Sequence, residues 1–112
     1  TLADGGINPL TGDKVINNNI CHYTLSVMVT SGMYETSGEW LYETGLPAKS
    51  GIGGGIVTVS PGRCGLAAFS PRLDNAGNSI KAQKAIRALS RHLGMNLLVS
   101  NPYQDRSAIT KE

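Results

Sequence analysis

Apolar and polar positions follow one another in a way that predicts helices towards both ends of the chain and a β hairpin between them. A first helix is expected between Asn17, whose side chain can accept from a free N–H of the first turn, and Gly32, which would end it. Its buried face would consist of residues that recur at steps of three and four, namely Ile20, Tyr23, Thr24, Val27, Met28 and Ser31.

A short second helix is predicted over Ser37–Thr44, with Trp40 and Leu41 directed towards the core. Gly45 would end this helix, and Pro47 prevents its continuation because proline lacks a backbone N–H. The glycine and the proline therefore separate the second helix from the apolar run that follows.

That apolar run is expected to form a strand over residues 53–59, a turn over residues 60–63 and a return strand over residues 65–69. Ile56 and Val57 are adjacent and both apolar, which is typical of a strand covered on both faces. The two strands would pair as an antiparallel hairpin of central-strand character.

A last helix is expected to begin behind a cap at Asn78 or Ser79 and to reach Leu93, with Gly94 just beyond its end. The residues predicted on its buried face are Ile80, Ala85, Ile86, Leu89 and Leu93. The opposite face is basic and carries Lys81, Lys84, Arg87 and Arg91. Such a stripe could bind a polyanion, but a solvated helix face is the more common origin of this pattern.

The order helix, short helix, hairpin, helix indicates an α+β fold. Two strands form only a marginal sheet by themselves, so further strands and helices are expected to complete it. We therefore expect residues 1–100 to be a portion of a larger domain and residues 101–112 to be a polar, flexible tail. The chain starts without methionine and continues into a loop-like stretch at residues 5–13, which also favours a chain cut from a longer protein.

With 112 residues and a net charge of +2, the chain suits one small domain and gives no electrostatic reason to expect a nucleic-acid partner. It has no secretory leader at its start and no apolar run long enough to cross a bilayer. Cys21 and Cys64 are expected to be free buried thiols, which fits a reducing cytoplasm. His22 and His92 lack the spacing of metal ligands, so no metal is expected.

The segment that stands out chemically is LPAKSGIGGG at residues 46–55, and it has three interpretations. A phosphate-binding loop would need glycine before Lys49 and a helix after it, whereas Ala48 precedes and a strand is predicted to follow. Glycines on a strand could instead serve only to let another backbone approach. The third interpretation is the Lys-[Thr/Ser]-Gly strand that lines the site of penicillin-recognising enzymes, which Lys49, Ser50 and Gly51 match.

Several separated motifs, taken in order, closely resemble the glutaminase family. They are GGINPLTG at 5–12, GMYE at 32–35, SGE at 37–39, GLPAKSGIGGGI at 45–56, FSP at 69–71, LD at 73–74 and GNS at 77–79. The resemblance covers residues 2–93. Arg72 and Ala82 depart from the proline and glycine expected in these motifs, and both lie away from the Lys49 strand.

The resemblance implies a β-lactamase-like or penicillin-binding-protein-like domain, in which helices flank an antiparallel sheet. It also implies hydrolysis of L-glutamine to L-glutamate and ammonia, with no metal or other cofactor, by a serine in a Ser-x-x-Lys motif. That motif does not occur among the 112 residues, and the threonine-to-lysine spacing of Thr11 and Lys14 is interpreted as coincidence. The chain is therefore expected to be the C-terminal part of a glutaminase and to be inactive alone.

Two site residues, Tyr34 and Ile52, match functional positions of the family, and Lys49 is expected at the rim of the site. Tyr34 matches an active-site tyrosine, a candidate for proton transfer and substrate binding, although a phenol is a poor base unless nearby cations lower its pKa. Ile52 matches a residue whose backbone N–H contributes to the oxyanion hole. Lys49 is expected to give electrostatic or structural support. Without the resemblance, Tyr34 would be interpreted as a half-buried ring at a helix end, and Lys49 as a surface lysine.

The partners expected from this assignment are L-glutamine, the rest of the catalytic domain and further copies of the protein in a cytoplasmic homo-oligomer. Neither nucleic acid nor a membrane is expected. Two other classes stay open: a non-catalytic interaction module that binds through the hairpin edge, and another penicillin-recognising hydrolase that acts on a lactam or peptide.

Overall fold

The computed structural model describes residues 1–100, so the tail predicted at residues 101–112 lies outside the described residues. After a short 3-10 turn at Leu2–Asp4, the chain forms α1 over Asn18–Ser31, a second 3-10 turn at Tyr34–Thr36 and α2 over Ser37–Thr44. Three strands follow, namely β1 over Ala48–Gly51, β2 over Gly55–Ser60 and β3 over Cys64–Phe69, and α3 occupies Ile80–Leu93. This arrangement confirms the α+β prediction.

The sheet has three strands in the order β1-β2-β3, and both pairings are antiparallel. The predicted hairpin corresponds to β2 and β3, but the strand expected to start at residue 53 starts at Gly55 instead. Residues 52–54 form a turn, in which Gly54 has a φ of 104° and its N–H donates to the Gly51 carbonyl at 3.0 Å. The Lys-Ser-Gly segment therefore forms a strand of its own that pairs with β2.

One face of this sheet carries the core. Ser50, Ile56 and Ala68 lie side by side across the three strands, and Ile56 is fully buried beneath the helices. On the other face, Val57 is 51% exposed and Phe69 is 74% exposed. Val59 on this second face is buried, so the face is covered at one end only within residues 1–100. The expectation that both Ile56 and Val57 are buried is wrong for this part of the protein.

Helix α1 begins as predicted, because the Asn17 side chain accepts from the Ile20 N–H at 2.8 Å. Its buried face only partly matches the predicted one: Met28 is buried as predicted and Cys21 is buried with it, whereas Tyr23 is 74% exposed. Ile20 and Val27 are also exposed. The helix packs on β1 and α2, and its broad apolar side stays exposed within residues 1–100.

The short helix α2 supplies the largest aromatic ring of the core. Trp40 is buried, and its Nε1–H donates to the Leu46 carbonyl at 3.0 Å, so both its apolar surface and its polar edge are satisfied. Gly45 ends the helix in the left-handed region with a φ of 63°, as expected of a glycine at this position. Leu41, also predicted to face the core, is only half-buried.

Helix α3 begins after Ser79, whose side chain accepts from the Ala82 N–H at 3.2 Å, and ends at left-handed Gly94. Ala82, Ile86 and Ser90 form its buried stripe. The predicted face included Ile86 correctly but was rotated, since Ile80, Ala85, Leu89 and Leu93 are exposed. The core that results from packing α2 and α3 on the sheet contains Met33, Trp40, Ala48, Ile56, Ala82 and Ile86.

The basic side of α3 faces outward, as predicted. Arg87 pairs with Glu43 of α2 at 2.7 Å, but both side chains are more than a third exposed, so this pair contributes no more than about 1 kcal/mol. Lys81, Lys84 and Arg91 are exposed. Among residues 1–100, no helix is both long enough and apolar enough to span a membrane.

Candidate active site

Tyr34 lies at the junction between α1 and α2, in a backbone conformation that tyrosine rarely adopts. Its φ is 54°, and no other non-glycine residue among residues 1–100 has a positive φ. Such a left-handed conformation costs an L-residue about 1–2 kcal/mol, and it persists only where neighbouring groups hold it. The ring is 38% exposed, so the hydroxyl group can meet a small molecule.

Hydrogen bonds on both sides of Tyr34 hold this backbone conformation. The Ser37 hydroxyl accepts from the Met33 N–H at 3.0 Å and donates to the Tyr34 carbonyl at 2.7 Å. The Met33 carbonyl accepts from the Asn78 Nδ2 at 3.1 Å and from the Thr36 hydroxyl at 3.0 Å. The strained residue is therefore fixed by side chains from α2 and from the loop before α3.

Lys49 and Ser50 of β1 lie beside the Tyr34 ring. The Lys49 Nζ is 4.7 Å from the ring centroid, which is the geometry of a cation–π contact. The Tyr34 hydroxyl donates to the Ser50 carbonyl over a long 3.5 Å, and the Lys49 Nζ donates to the same carbonyl. A phenol hydroxyl and an ammonium group thus converge on one backbone oxygen, so the Lys49 charge acts directly on the Tyr34 ring.

Ile52 occupies the turn between β1 and β2, and its side chain is 75% exposed. Its backbone N–H donates to no acceptor within residues 1–100. Gly77 connects this turn to Tyr34: a Cβ at Gly77 would lie 3.6 Å from the Tyr34 ring and 3.8 Å from the Ile52 Cγ2. All three predicted site residues therefore lie at one end of β1.

The loop that carries Gly77 is organised by Asp74. One Asp74 carboxylate oxygen accepts from the Ala76 and Asn78 N–H groups, each at 3.0 Å. The other oxygen accepts from the Gln83 Nε2 at 2.9 Å. Partial burial acts to raise the pKa of Asp74, but these hydrogen bonds together hold it below its ordinary value.

Acid should therefore loosen this loop. Because the pKa of Asp74 is lower in the folded state, its contribution to stability is fully present above the unfolded pKa of about 3.9 and is lost as pH falls through the folded pKa. We expect Asp74→Asn, which keeps the shape but loses the charge, to lower the free energy of unfolding by about 1 kcal/mol at neutral pH.

The difference in free energy of unfolding between the parent protein and Asp74→Asn should narrow as pH falls below about 4. Urea unfolding measured from pH 7 to pH 3 checks this, with Asp13→Asn on the exposed N-terminal loop as the control. A difference that is constant over this range would contradict the assigned role of the Asp74 charge.

Two buried polar atoms lie near the site without a partner among residues 1–100, the Ser50 Oγ and the Asn78 Oδ1. The sequence predicts Asn78 or Ser79 as a helix cap; in the structure Ser79 caps α3, and Asn78 contacts the backbone before Tyr34. The sequence signal for this contact is GNS at residues 77–79, one of the motifs that carry the resemblance. The polar groups of GNS are fully buried, which pattern reasoning does not reveal.

No cluster of three metal-ligating side chains occurs within the described part of the chain, and His22 and His92 are exposed on different helices. The two cysteines are separate: Cys21 is buried and its thiol contacts the Leu2 carbonyl, whereas Cys64 is half-buried at the start of β3. The groups available at the end of β1 are thus a phenol hydroxyl, an ammonium group and a free backbone N–H. These groups can bind and stabilise a developing negative charge.

Comparison with known proteins agrees with the resemblance of the sequence to the glutaminase family. The family model described as Glutaminase matches residues 1–98. Glutaminase 2 of Yersinia pestis is 67% identical over 107 residues, which make up 96% of this chain and 32% of that protein. The chain thus spans about a third of the length of this curated relative.

Solved structures with the same fold agree. One, described as probable glutaminase ybaS, superposes with a TM-score of 0.85 at 49% identity and covers 88% of this chain and 32% of that one. Another is a covalent complex of the Bacillus subtilis glutaminase YbgJ with 5-oxo-L-norleucine, formed by reaction with 6-diazo-5-oxo-L-norleucine. It superposes with a TM-score of 0.81 at 28% identity, over 87% of this chain and 36% of that one.

Proposed function

Because the chain belongs to the glutaminase family, we propose that it forms one wall of an active site that hydrolyses L-glutamine to L-glutamate and ammonia in a protein of the family's full length. In this proposal the chain is the C-terminal part of that protein, and the remainder of the catalytic domain supplies a serine nucleophile in a Ser-x-x-Lys motif. The observation that carries the proposal is the convergence of Tyr34, Lys49 and the Ile52 turn at one end of β1.

In the proposed mechanism, the serine oxygen attacks the side-chain carbonyl carbon of glutamine and ammonia leaves from the tetrahedral intermediate. Water then hydrolyses the acyl-enzyme. The covalent complex described for the Bacillus subtilis glutaminase supports a covalent route in this family. Its ligand, a 5-oxo amino acid, carries a ketone where glutamine has its amide carbonyl.

Each residue at the end of β1 has a proposed role in this route. Tyr34 contacts the substrate and transfers a proton between the serine and the departing ammonia. The free N–H of Ile52 donates to the oxyanion, together with the N–H of the serine itself, and the side chain of Ile52 is not needed for this. Lys49 supplies positive charge beside the Tyr34 ring, at the side of the site where the substrate would bind.

The setting of the enzyme is part of the same proposal. We place the protein in the cytoplasm, where two free thiols are stable, and assign it to glutamine catabolism as a homo-oligomer. No nucleic-acid or membrane partner is part of the proposal. Light scattering of the purified full-length protein measures the oligomeric state directly.

Ammonia release tests the proposal. The full-length protein should hydrolyse L-glutamine with a kcat on the order of 1–10³ s⁻¹, which is the range of ordinary enzymes. The isolated 112-residue chain should release no ammonia above background, because it contains no Ser-x-x-Lys motif.

Three outcomes would change the proposal. If the full-length protein instead opens a chromogenic lactam, the Lys49–Gly51 strand belongs to another penicillin-recognising hydrolase. If it turns over neither substrate, that result favours the interpretation of the chain as part of an interaction module. Ammonia release by the isolated chain would show that the nucleophile lies within these 112 residues.

A further inference from the structure

We propose that Asn78 is a positioning residue for the glutaminase reaction, which sets the place of the Tyr34 hydroxyl by holding the Met33 carbonyl. This inference rests on the proposed function, because it assigns Asn78 a task only if Tyr34 acts on the substrate. It concerns a side chain from the loop before α3, which contacts the α1–α2 junction from 45 residues further along the chain.

The contact between Asn78 and the junction has a defined direction. The Met33 carbonyl can only accept, so the Asn78 atom that faces it at 3.1 Å must be the amide nitrogen. The same nitrogen lies 3.0 Å from the Thr36 hydroxyl, which itself donates to the Met33 carbonyl at 3.0 Å. Asn78, Thr36 and Met33 thus form a closed set of three hydrogen bonds.

The Met33 carbonyl belongs to the peptide plane that enters Tyr34, and this is how a buried amide can act on an active-site ring. Rotation of that plane changes ψ of Met33, now 34°, and φ of Tyr34, now 54°, in opposite directions. Relaxation of Tyr34 to negative φ would recover about 1–2 kcal/mol of strain. It would also swing the ring away from Lys49 and the Ser50 carbonyl, so the hydrogen bonds to Met33 act against this relaxation.

The environment of Asn78 favours a function over simple packing. The residue is fully buried, and its Oδ1 has no partner within residues 1–100, so burial of this amide carries a desolvation cost that an apolar side chain would avoid. It is not needed as a helix cap, because Ser79 accepts from the Ala82 N–H. The groups of Asn78 that do work are the two N–H donors at the junction.

The backbone of the loop is fixed independently of this contact. Asp74 accepts from the Asn78 N–H at 3.0 Å and its own N–H donates to the Asn78 carbonyl at 2.8 Å. The adjacent Gly77 lies beside the Tyr34 ring, where a Cβ would come within 3.6 Å of it. The loop therefore supports the ring with Gly77 and sets the preceding peptide plane with Asn78.

A double-mutant cycle in the full-length enzyme tests the proposal. Asn78→Asp keeps the size of the side chain but replaces the donor that faces the Met33 carbonyl with an acceptor. We expect it to lower kcat for glutamine by about 10²-fold, the scale of a misplaced reacting group. In a Tyr34→Phe background the same change should lower kcat by less than about threefold, since no hydroxyl is left to position.

Controls separate positioning from general damage. Thr36→Val removes the hydroxyl that donates to the Met33 carbonyl, with little change in volume, and leaves the Thr36 N–H in place. It should show the same dependence on Tyr34 even if Asn78→Asp folds poorly. Asn75→Ala, on the exposed part of the same loop, should leave kcat unchanged. Equal losses of kcat from Asn78→Asp or Thr36→Val in the Tyr34 and Tyr34→Phe backgrounds would overturn the proposal.

A crystal structure of the Thr36→Val or Asn78→Asp variant decides the question without any activity. The expected result is Tyr34 at negative φ, with its ring displaced from Lys49. A variant that retains positive φ and the ring position would refute the positioning role. If the parent enzyme fails to hydrolyse glutamine, the proposed function fails, and the variant structure still shows whether Asn78 holds Tyr34.

Discussion

Tyr34→Phe in the full-length enzyme is expected to lower kcat for L-glutamine by about 10²–10⁴-fold, the usual contribution of a group that transfers a proton in the transition state. The phenyl ring keeps its contact with Gly77 and its place under the Lys49 ammonium. Only the hydroxyl is lost, and its hydrogen bond to the Ser50 carbonyl is long at 3.5 Å, so little stability depends on it.

The fold should therefore survive the change, and steady-state kinetics combined with thermal unfolding checks both parts of the expectation. Tyr42→Phe is the matched control, because Tyr42 lies on α2 and is 85% exposed. It should leave both kcat and the melting temperature unchanged. Turnover close to that of the parent enzyme in Tyr34→Phe would remove this hydroxyl from the mechanism, and a large fall in melting temperature would show a structural role instead.

The helix ends were predictable because their signals are local. Asn17 and Ser79 each accept from an N–H three residues ahead, and Gly45 and Gly94 adopt the left-handed conformation that favours glycine. Each of these features depends on a few neighbouring residues, so the chain can be interpreted there without its fold. The predicted ends of the three helices therefore agree with the observed ends to within one residue.

The buried faces were less predictable, because periodicity shows which residues share a face and not what covers it. Ile20, Tyr23 and Val27 do share a face of α1, yet no element within residues 1–100 packs on it. The same holds for Val57 on the open face of the sheet. In α3 the large apolar residues gave a wrong prediction of the buried face, because the small residues Ala82 and Ser90 line the side that packs closely on the sheet and α2.

The features of the site also differ in whether the sequence predicts them. Tyr34, Lys49 and Ile52 were identified from motifs, and the structure brings them to one end of β1. The bonds from Asn78 to Met33 and Thr36 join residues 45 and 42 positions apart. No period or local spacing expresses such a contact, so the support of Tyr34 became visible only in the fold.

A single substitution at Gly32 is expected to destabilise the fold strongly. A glycine that ends a helix is usually explained by a left-handed conformation, but Gly32 has an ordinary φ of −68°. What demands glycine is the close approach of β1: a Cβ at Gly32 would overlap the Ala48 carbonyl oxygen and lie 2.6 Å from the Met28 carbonyl oxygen. Both obstacles are backbone atoms, which cannot move aside as a flexible side chain would.

Gly32→Ala is therefore expected to lower the free energy of unfolding by about 3 kcal/mol or more, as expected when extra volume meets packed backbone. The separation of α1 from β1 would also break the hydrogen bond from the Ser50 N–H to the Gly32 carbonyl, now 2.9 Å. Since native proteins are stable by only about 5–15 kcal/mol, a loss of this size would remove about a fifth or more of the free energy of unfolding. Urea unfolding of the full-length protein measures the loss.

Gly38→Ala supplies the same chemical change in a place where nothing opposes it. Gly38 is exposed within α2, and a Cβ there would meet no atom within 4 Å. Because alanine loses less backbone entropy than glycine on entering a helix, this variant should gain up to about 1 kcal/mol. If Gly32→Ala unfolds at the same urea concentration as the parent protein, the close contact between α1 and β1 is not what fixes this glycine.

Any soluble Gly32→Ala protein should also have a lower activity than the parent enzyme. Tyr34 lies two residues beyond Gly32, and its partners Lys49 and Ser50 lie on the strand that the new methyl group would push away. The folded fraction should therefore lose turnover more steeply than stability alone requires, whereas Gly38→Ala should retain the kcat of the parent enzyme. Normalising kcat to the folded fraction separates the two effects, and an unchanged normalised kcat would show that Tyr34 keeps its position independently of the α1–β1 contact.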